Sequence, residues 1–225
     1  MDLPRRPRAG KPASKIRPTK VRREKAAETE AMLKEAARRV FARKGYLNTK
    51  ITDITAEAGR AAGSFYNHFA SKEELLEALA ADIFTQATDR ITEHGTDHDL
   101  SDPAQLREHV ATTWYAFKTH IPEIAALNEA AMVDRILAQR WEEMRATRVD
   151  IMRDHLERLR HDGWALPGDP AIVASAMVSL LQQFCTVWLI HGGEAVGREL
   201  SDTEAIDTLS AFILRGLIGT AGQAR

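Results

Sequence analysis

Ser64, Tyr66, Asn67 and His68 place four hydrogen-bonding side chains, almost without charge, within five consecutive residues. Side chains of this kind recognise donor and acceptor patterns. A hydroxyl or carboxamide discriminates between base edges, and a phenol or imidazole bonds phosphate oxygens. They sit inside residues 51–76, ITDITAEAGRAAGSFYNHFASKEELL, a stretch that predicts two short helices, a tight glycine turn and the capped start of a third helix. A short polar helix held at a fixed angle by its neighbours is how a helix-turn-helix reads the edges of bases in a DNA groove.

The rest of the segment supplies that support. Gly59 permits the tight turn between two steeply packed helices. Ile54, Ala58, Phe65 and Phe69 are spaced to fill the small core that fixes the angle. Gly63 has no side chain and lets the helix backbone approach DNA closely, where Ser64 reaches a base edge. Tyr66 and His68 suit phosphate oxygens, and Lys72 falls in the first turn of the next helix, whose N-terminus also attracts phosphate. Ser71-Lys72-Glu73-Glu74 is a capping box that opens that helix.

In the order Thr49, Ile54, Ala58-Gly59, Gly63-Ser64-Phe65-Tyr66-Asn67-His68-Phe69 and Ser71-Lys72-Glu73-Glu74-Leu75, the chain resembles the TetR family of transcriptional regulators. The motif covers about residues 41–76. The following two-thirds resembles the family in the number, length and order of helices. The resemblance implies phosphate contacts from Thr49, Tyr66, His68 and Lys72. It implies groove-facing positions at Thr52, Ala62, Gly63, Ser64 and Asn67. One departure stands out. Many members have Val-Ser after the turn glycine, where this chain has Arg60-Ala61. Loss of the Ser N-cap costs the reading helix about 1 kcal/mol, whereas Arg60 offers an additional phosphate contact.

These residues need an all-α frame. Apolar residues recur at helical spacing from about Glu24 to Phe41, with Gly45 as a stop and Thr49 as the candidate N-cap of the next helix. Beyond Gly95 the pattern predicts helices from Asp102-Pro103, from Ile121-Pro122 to about Met132, over roughly residues 134–161, from Asp169-Pro170, and from the capping box Ser201-Asp202-Thr203-Glu204. That makes about nine helices and no convincing two-residue alternation. The expected organisation is a basic, proline-containing disordered arm over 1–22, a three-helix DNA-binding domain over 23–70, and a larger helical ligand-binding and dimerisation domain over 71–225.

The 225 residues carry 31 basic and 32 acidic side chains, so net charge alone gives no hint of a nucleic-acid partner. The distribution does: ten basic residues against two acidic ones precede Ala26. Such an arm is either a solvated tail or a strand lying along phosphates or in a minor groove. The one cysteine, Cys185, excludes an intramolecular disulfide and fits a reducing cytoplasm. The basic start has no apolar stretch behind it, which argues against a signal peptide. The apolar run over 171–190 is interrupted by Ser175, Ser179, Gln182 and Gln183 and reads as a buried helix rather than a membrane span.

In the body, Trp114, Phe117, Leu137, Trp141, Met144, Met177 and Phe184 read either as ordinary core or as the lining of an apolar, partly aromatic pocket. The family resemblance favours a pocket for a small, largely apolar effector. Asn128, Arg135, His109, His120 and His155 are candidate polar anchors. The apolar faces of residues 171–191 and 203–217 exceed what one bundle buries, and the resemblance implies a homodimer through these last two helices. Two reading helices related by a two-fold axis suit a palindromic double-stranded operator. The resemblance further implies that ligand binding tilts the fourth helix and changes the spacing of the reading helices, most often to release a repressor from its operator. No cofactor is expected. His94-Gly-Thr-Asp-His98 lacks a completing Cys or acidic cluster for a metal. Cys185 reads as a packed thiol. The rival classes are an all-α enzyme, for which no polar constellation stands out, and a helical binding protein without operator recognition.

Overall fold

The computed structural model describes residues 20–93, 99–193 and 198–218, with side chains undescribed at 84, 87–93 and 218. Residues 1–19 of the basic arm, and the histidines at 94 and 98, lie outside the described residues. Among the described residues nine α-helices follow one another: α1 Lys20–Lys44, α2 Ile51–Glu57, α3 Ala62–Phe65, α4 Lys72–Glu93, α5 Pro103–Thr119, α6 Ile121–Ala131, α7 Arg135–His161, α8 Pro170–Cys185 and α9 Asp202–Ile218. No strand occurs among the described residues. The class is all-α, as the periodicity predicts.

Helix starts follow local chemistry. Asp102 accepts from the amides of Ala104 (2.7 Å) and Gln105 (3.1 Å) to open α5. Asp134 accepts from Ile136 and Leu137 to open α7, and Asp169 from Ala171 to open α8. Each satisfies amides that the first helical turn leaves without a partner. Ser71 and Ser201 accept from the amides of Glu74 and Glu204, the forward halves of the two expected capping boxes. Glu74 reaches back one residue further than expected, to the amide of Ala70.

Three local expectations change. Lys20, Val21 and Arg22, assigned to the arm, form the first turn of α1. Proline bars a helix only as far as Pro18, so nothing stops α1 from starting two residues later. Thr49 does not cap α2. Its hydroxyl donates to the carbonyl of Gly45 at 2.6 Å, and Asp53 instead accepts from the amide of Lys50 at 3.0 Å. The reading helix does not extend through the whole polar run 64–68: regular helix ends at Phe65, and single turns carry the chain to Phe69.

Two cores form. The first joins Leu33, Ala36, Phe41, Ile54, Phe65, Phe69, Leu75 and Leu79 of α1–α4 with Ala126, Leu127 and Ala130 of α6 and Leu137 of α7. The second joins α5, α7, α8 and α9 around Leu106, Val110, Trp114, Leu156, Met177, Leu181 and Ile213. Trp141 packs against both.

α8 continues as a π-helical turn, Thr186–Ile190. Together Pro170–Ile190 is long and apolar enough to cross a membrane by length and composition. In the fold its Ala174, Met177, Val178, Leu181 and Cys185 are buried in the second core, while Ile172 remains 70% exposed.

Candidate nucleic-acid interface and helical cavity

α2 and α3 are mounted on α1 and α4 by both apolar and ionic contacts. Ile54 and Phe65 are fully buried and fix the two short helices from behind. Arg39 and Arg43 hold Glu57 at 2.7 and 2.6 Å, and Lys44 holds Asp53 at 2.8 Å, so both ends of α2 are tied to α1. Hydrogen bonds from Arg39 and Arg43 hold the Glu57 carboxyl below its ordinary pKa. Those from Lys44 and the Lys50 amide do the same for Asp53. At the turn, Gly59 sits at φ 63°, a left-handed conformation that costs most other residues about 1 kcal/mol.

On the outer side of this support, Thr52, Arg60, Ala62, Gly63, Tyr66 and Asn67 are exposed, with Ser64 and His68 half-buried. A Cβ added at Gly63 would meet nothing within 4 Å, so the backbone there is open to a close neighbour. The geometry therefore brings eight of the ten sequence-assigned positions onto one accessible stretch of chain. α3 starts at Ala61 without a side-chain cap. Arg60 runs back toward α1, with its Nη2 3.3 Å from the Met32 Sδ.

The other two positions differ from expectation. Thr49 is buried, and its hydroxyl is held by the Gly45 carbonyl. Lys72 turns inward. Its Nζ donates to the carbonyls of Tyr46 (2.8 Å) and Thr49 (3.0 Å) and lies 4.0 Å from the centre of the Tyr46 ring. Burial lowers its pKa from the ordinary lysine value. Its ammonium thus closes the loop between α1 and α2 rather than projecting to solvent. Carbonyls that have no helical partner where that loop turns accept from it.

Behind this face, α6 acts as the base. Glu123, 1% exposed, accepts from Arg38 Nε at 2.7 Å and lies 3.1 Å from His120 Nδ1. Burial raises the pKa of this carboxyl, but the hydrogen bonds from His120 and Arg38 outweigh it and hold Glu123 below its ordinary value. Glu129 accepts from the amide of Leu47 at 3.1 Å. Gly45, at φ 72°, lies so close to Glu129 that an added Cβ would come within 2.8 Å of its carboxylate. His120, a candidate ligand anchor, is therefore part of this docking contact. No periodicity marks Glu123 or Glu129, because both are polar residues on a helix whose partner is distant in sequence.

A cavity of about 520 Å³ opens between α4, α6 and α7, within the size range of small-molecule sites. Ala78, Leu127, Leu137, Trp141 and Met144 form its apolar lining, and Thr147 adds a hydroxyl. Its charged rim is engaged: Glu77 pairs with Arg140 at 3.1 Å, Glu143 accepts from Gln139, and Glu74 accepts from Ala70. Leu137, Trp141 and Met144 are thus cavity residues, as one of the two sequence readings holds. Trp114, Phe117, Met177 and Phe184 do not line this cavity. Trp114 and Phe117 are packed in the second core, and the Trp114 indole donates to Asp202 at 2.9 Å. Met177 is buried there, and Phe184 makes tilted ring contacts with Trp114 and Trp188. Helical spacing places all seven on inward faces but cannot tell a filled interior from a hollow one. Cys185 is buried, and burial pushes its thiol up to about 12, which makes it inert at neutral pH. No group of His, Cys, Asp and Glu arranged for a metal occurs among the described residues.

A short exposed helix set on a three-helix support, followed by a larger helical body with a cavity, defines a helix-turn-helix protein with a helical C-terminal region. Comparison with known proteins is consistent with that class. Residues 33–79 match the family model of bacterial regulatory proteins, tetR family. The HTH-type transcriptional regulator TtgR of Pseudomonas putida is 38% identical over 81 residues, a match spanning 36% of this chain and 38% of that protein. The HTH-type transcriptional repressor AcnR of Corynebacterium diphtheriae is 26% identical over 129 residues, 57% of this chain and 64% of that one. Among solved structures, the TetR-family transcriptional regulator PfmR of Thermus thermophilus superposes with a TM-score of 0.65 at 24% identity, covering 82% of this chain and 97% of that one. Residues 33–79 are thus similar to the DNA-binding region of TetR-family transcriptional regulators, and the chain shares their all-helical fold.

Proposed function

We propose that this protein is a ligand-responsive repressor that binds a palindromic double-stranded operator as a homodimer and leaves it when a small, largely apolar effector enters the α4–α6–α7 cavity. One observation carries the reading: the face formed by Thr52, Ala62, Gly63, Ser64, Tyr66 and Asn67 is open, while Phe65 behind it is fully buried. Ser64, Asn67 and Thr52 are assigned to base edges, with Ala62 and Gly63 allowing close approach. Tyr66, His68 and Arg60 are assigned to phosphates. The basic arm before α1 adds non-specific phosphate attraction. The reading unit comprises residues 20–70, and the effector and dimer body residues 71–225.

Coupling between the two runs through α4 and α6. The first turn of α4 clamps the loop before α2 through Lys72, and its middle lines the cavity with Glu77 and Ala78. α6 lines the same cavity with Leu127 and docks on α1 through Glu123. An effector that binds the cavity in one arrangement of these helices better than in the other shifts the reading unit with it. The dimer assignment rests on Ile172 of α8 and Phe212 of α9, which are 70% and 66% exposed. Exposed large apolar side chains of this kind are candidates for an interaction surface. Half-sites then fall about one helical turn, ~34–36 Å, apart or more. A repressor outcome is supported by relatives such as AcnR, itself named a repressor. A working place in the cytoplasm fits the single, buried thiol.

The test is fluorescence anisotropy with DNA from upstream of the protein's own gene, paired with analytical ultracentrifugation. Saturable binding of one dimer per site, weakened as salt rises, is expected. Failure to bind any genomic fragment at low salt would sink the reading.

A further inference from the structure

α7 presents one inward stripe: Leu137, Trp141 and Met144 line the cavity, and Met152, Leu156 and Leu159 are buried in the second core. Arg148 occupies the register position between the two groups, four residues past Met144 and so about 6 Å further along the axis. A guanidinium stands where the pattern calls for an apolar side chain. It donates from Nη2 to the Gln182 side-chain oxygen of α8 at 2.9 Å and lies 5.6 Å from the centre of the Trp141 ring. Its Nε is buried and has no acceptor. Arg148 makes no ion pair among the described residues. Glu142, the carboxylate that acts on it electrostatically, is hydrogen-bonded to Arg145 at 2.8 Å. Burial, reinforced by repulsion from Arg145, lowers the pKa of Arg148 below the ordinary arginine value.

A buried cation without an anion is unfavourable, and proteins ordinarily supply a paired carboxylate. Several other arginines that bridge helices among the described residues have one: Arg38 has Glu123, Arg39 has Glu57, Arg140 has Glu77 and Arg107 has Asp207. Arg148 has none, and it lies beside the cavity-lining Trp141, one residue past the cavity-lining Thr147. We propose that Arg148 is the anchor of the effector site and that the effector carries an anionic oxyacid group, carboxylate or phosphate, on an apolar body. The anion accepts from Nε and a terminal N–H, the planar edge that guanidinium offers to such groups. The apolar body lies against Trp141, Met144 and Leu137. This inference rests on the α4–α6–α7 cavity being the effector site, and it narrows the ligand from apolar to amphipathic and negatively charged.

The test titrates the full-length protein with a matched set: decanoate, decyl phosphate, 1-decanol and decyltrimethylammonium. Binding is followed by tryptophan fluorescence and melting temperature, in wild type and Arg148→Met. At least one of the two anions is expected to bind wild type about tenfold or more tighter than decanol, the worth of one charge-assisted pair. Comparing decanoate with decyl phosphate identifies the head group. In Arg148→Met the preference should fall to near unity, and the ligand-free variant should melt at or above the wild-type temperature, because an uncompensated buried charge has been removed. A purely structural arginine gives the opposite, a lower melting temperature with the ligand preference intact, and that result overturns the proposal. If Arg148→Met does not fold, the role is structural unless Arg148→Lys folds and has a reduced anion preference. Equal binding of decanol and the anions to wild type overturns the charged effector while leaving the cavity reading in place. Binding of none of the four overturns both, and operator binding remains a separate measurement.

Discussion

Phe65 and Tyr66 are adjacent in sequence, yet one is fully buried and the other 59% exposed. Arg148 and Arg38, far apart in sequence, are both guanidiniums held between helices, but only Arg38 meets a carboxylate. The first pair shows how the reading segment works, and the second how the body differs from it. In residues 51–76 the turn, the small core and the outward polar face follow mostly from near neighbours, although Glu57 and Lys72 reach partners on or just after α1. In the body, each role depends on which helix arrives opposite. The reading segment is rigid and complete as it stands, whereas the body keeps a cavity and an uncompensated charge. Preorganised sites and sites awaiting a ligand differ in this way.

Four substitutions test that contrast. The largest effect is expected from Phe65→Ala, which removes the buried aromatic under the reading face and should cost about 3–5 kcal/mol in chemical denaturation. If the loss is under 1 kcal/mol, the reading helix is not held by its core. Glu123→Gln comes next. It replaces the charged acceptor of Arg38 and His120 on α6 and should cost about 1.5–3 kcal/mol. The Glu123 carboxyl lies below its ordinary value of 4.5 in the fold. Its contribution is therefore fully present above that value and is lost as pH falls through the lower, folded value. Wild type should lose stability over that acid range more steeply than Glu123→Gln, and parallel pH profiles would remove Glu123 from the link between the two regions.

Tyr66→Ala should leave the melting temperature nearly unchanged, since the ring is exposed, while operator affinity falls. Two lost phosphate bonds per dimer are worth about 2 kcal/mol, or about thirtyfold. Unchanged affinity would place the phosphate contacts elsewhere on the face. The smallest effect is a gain. Ala61 opens α3 without a side-chain cap, so Ala61→Ser should stabilise by about 1 kcal/mol in thermal melts. A loss of stability would show that the first amides of α3 already have partners.

Much of the N-terminal unit was legible in the sequence because its determinants are local. The glycine at 59, the spacing of Ile54, Phe65 and Phe69, and the serine caps each act within one or two turns. The misreadings there are instructive. Lys72 and Thr49 sit within the motif at positions that the family resemblance assigns to phosphate, but loop carbonyls contributed by residues 45–49 draw both side chains inward. Sequence spacing does not record unsatisfied carbonyls. The body was legible only as helices. Seven apolar residues were equally good candidates for a lining, and the packing of α5, α8 and α9 filled the space around Trp114, Phe117, Met177 and Phe184 while leaving it open beside Leu137, Trp141 and Met144.

The sequence by itself determined an all-helical chain, the helix-turn-helix with its outward polar residues, and most helix starts, because capping, periodicity and turn glycines act over a few residues. Only the tertiary structure decided that α6 is the base of the reading unit, where the cavity lies, and that Arg148 sits between α7 and α8 without an ion pair among the described residues. Each of these depends on what a distant helix places opposite a side chain, and at those distances burial and charge pairing, not local propensity, set the outcome.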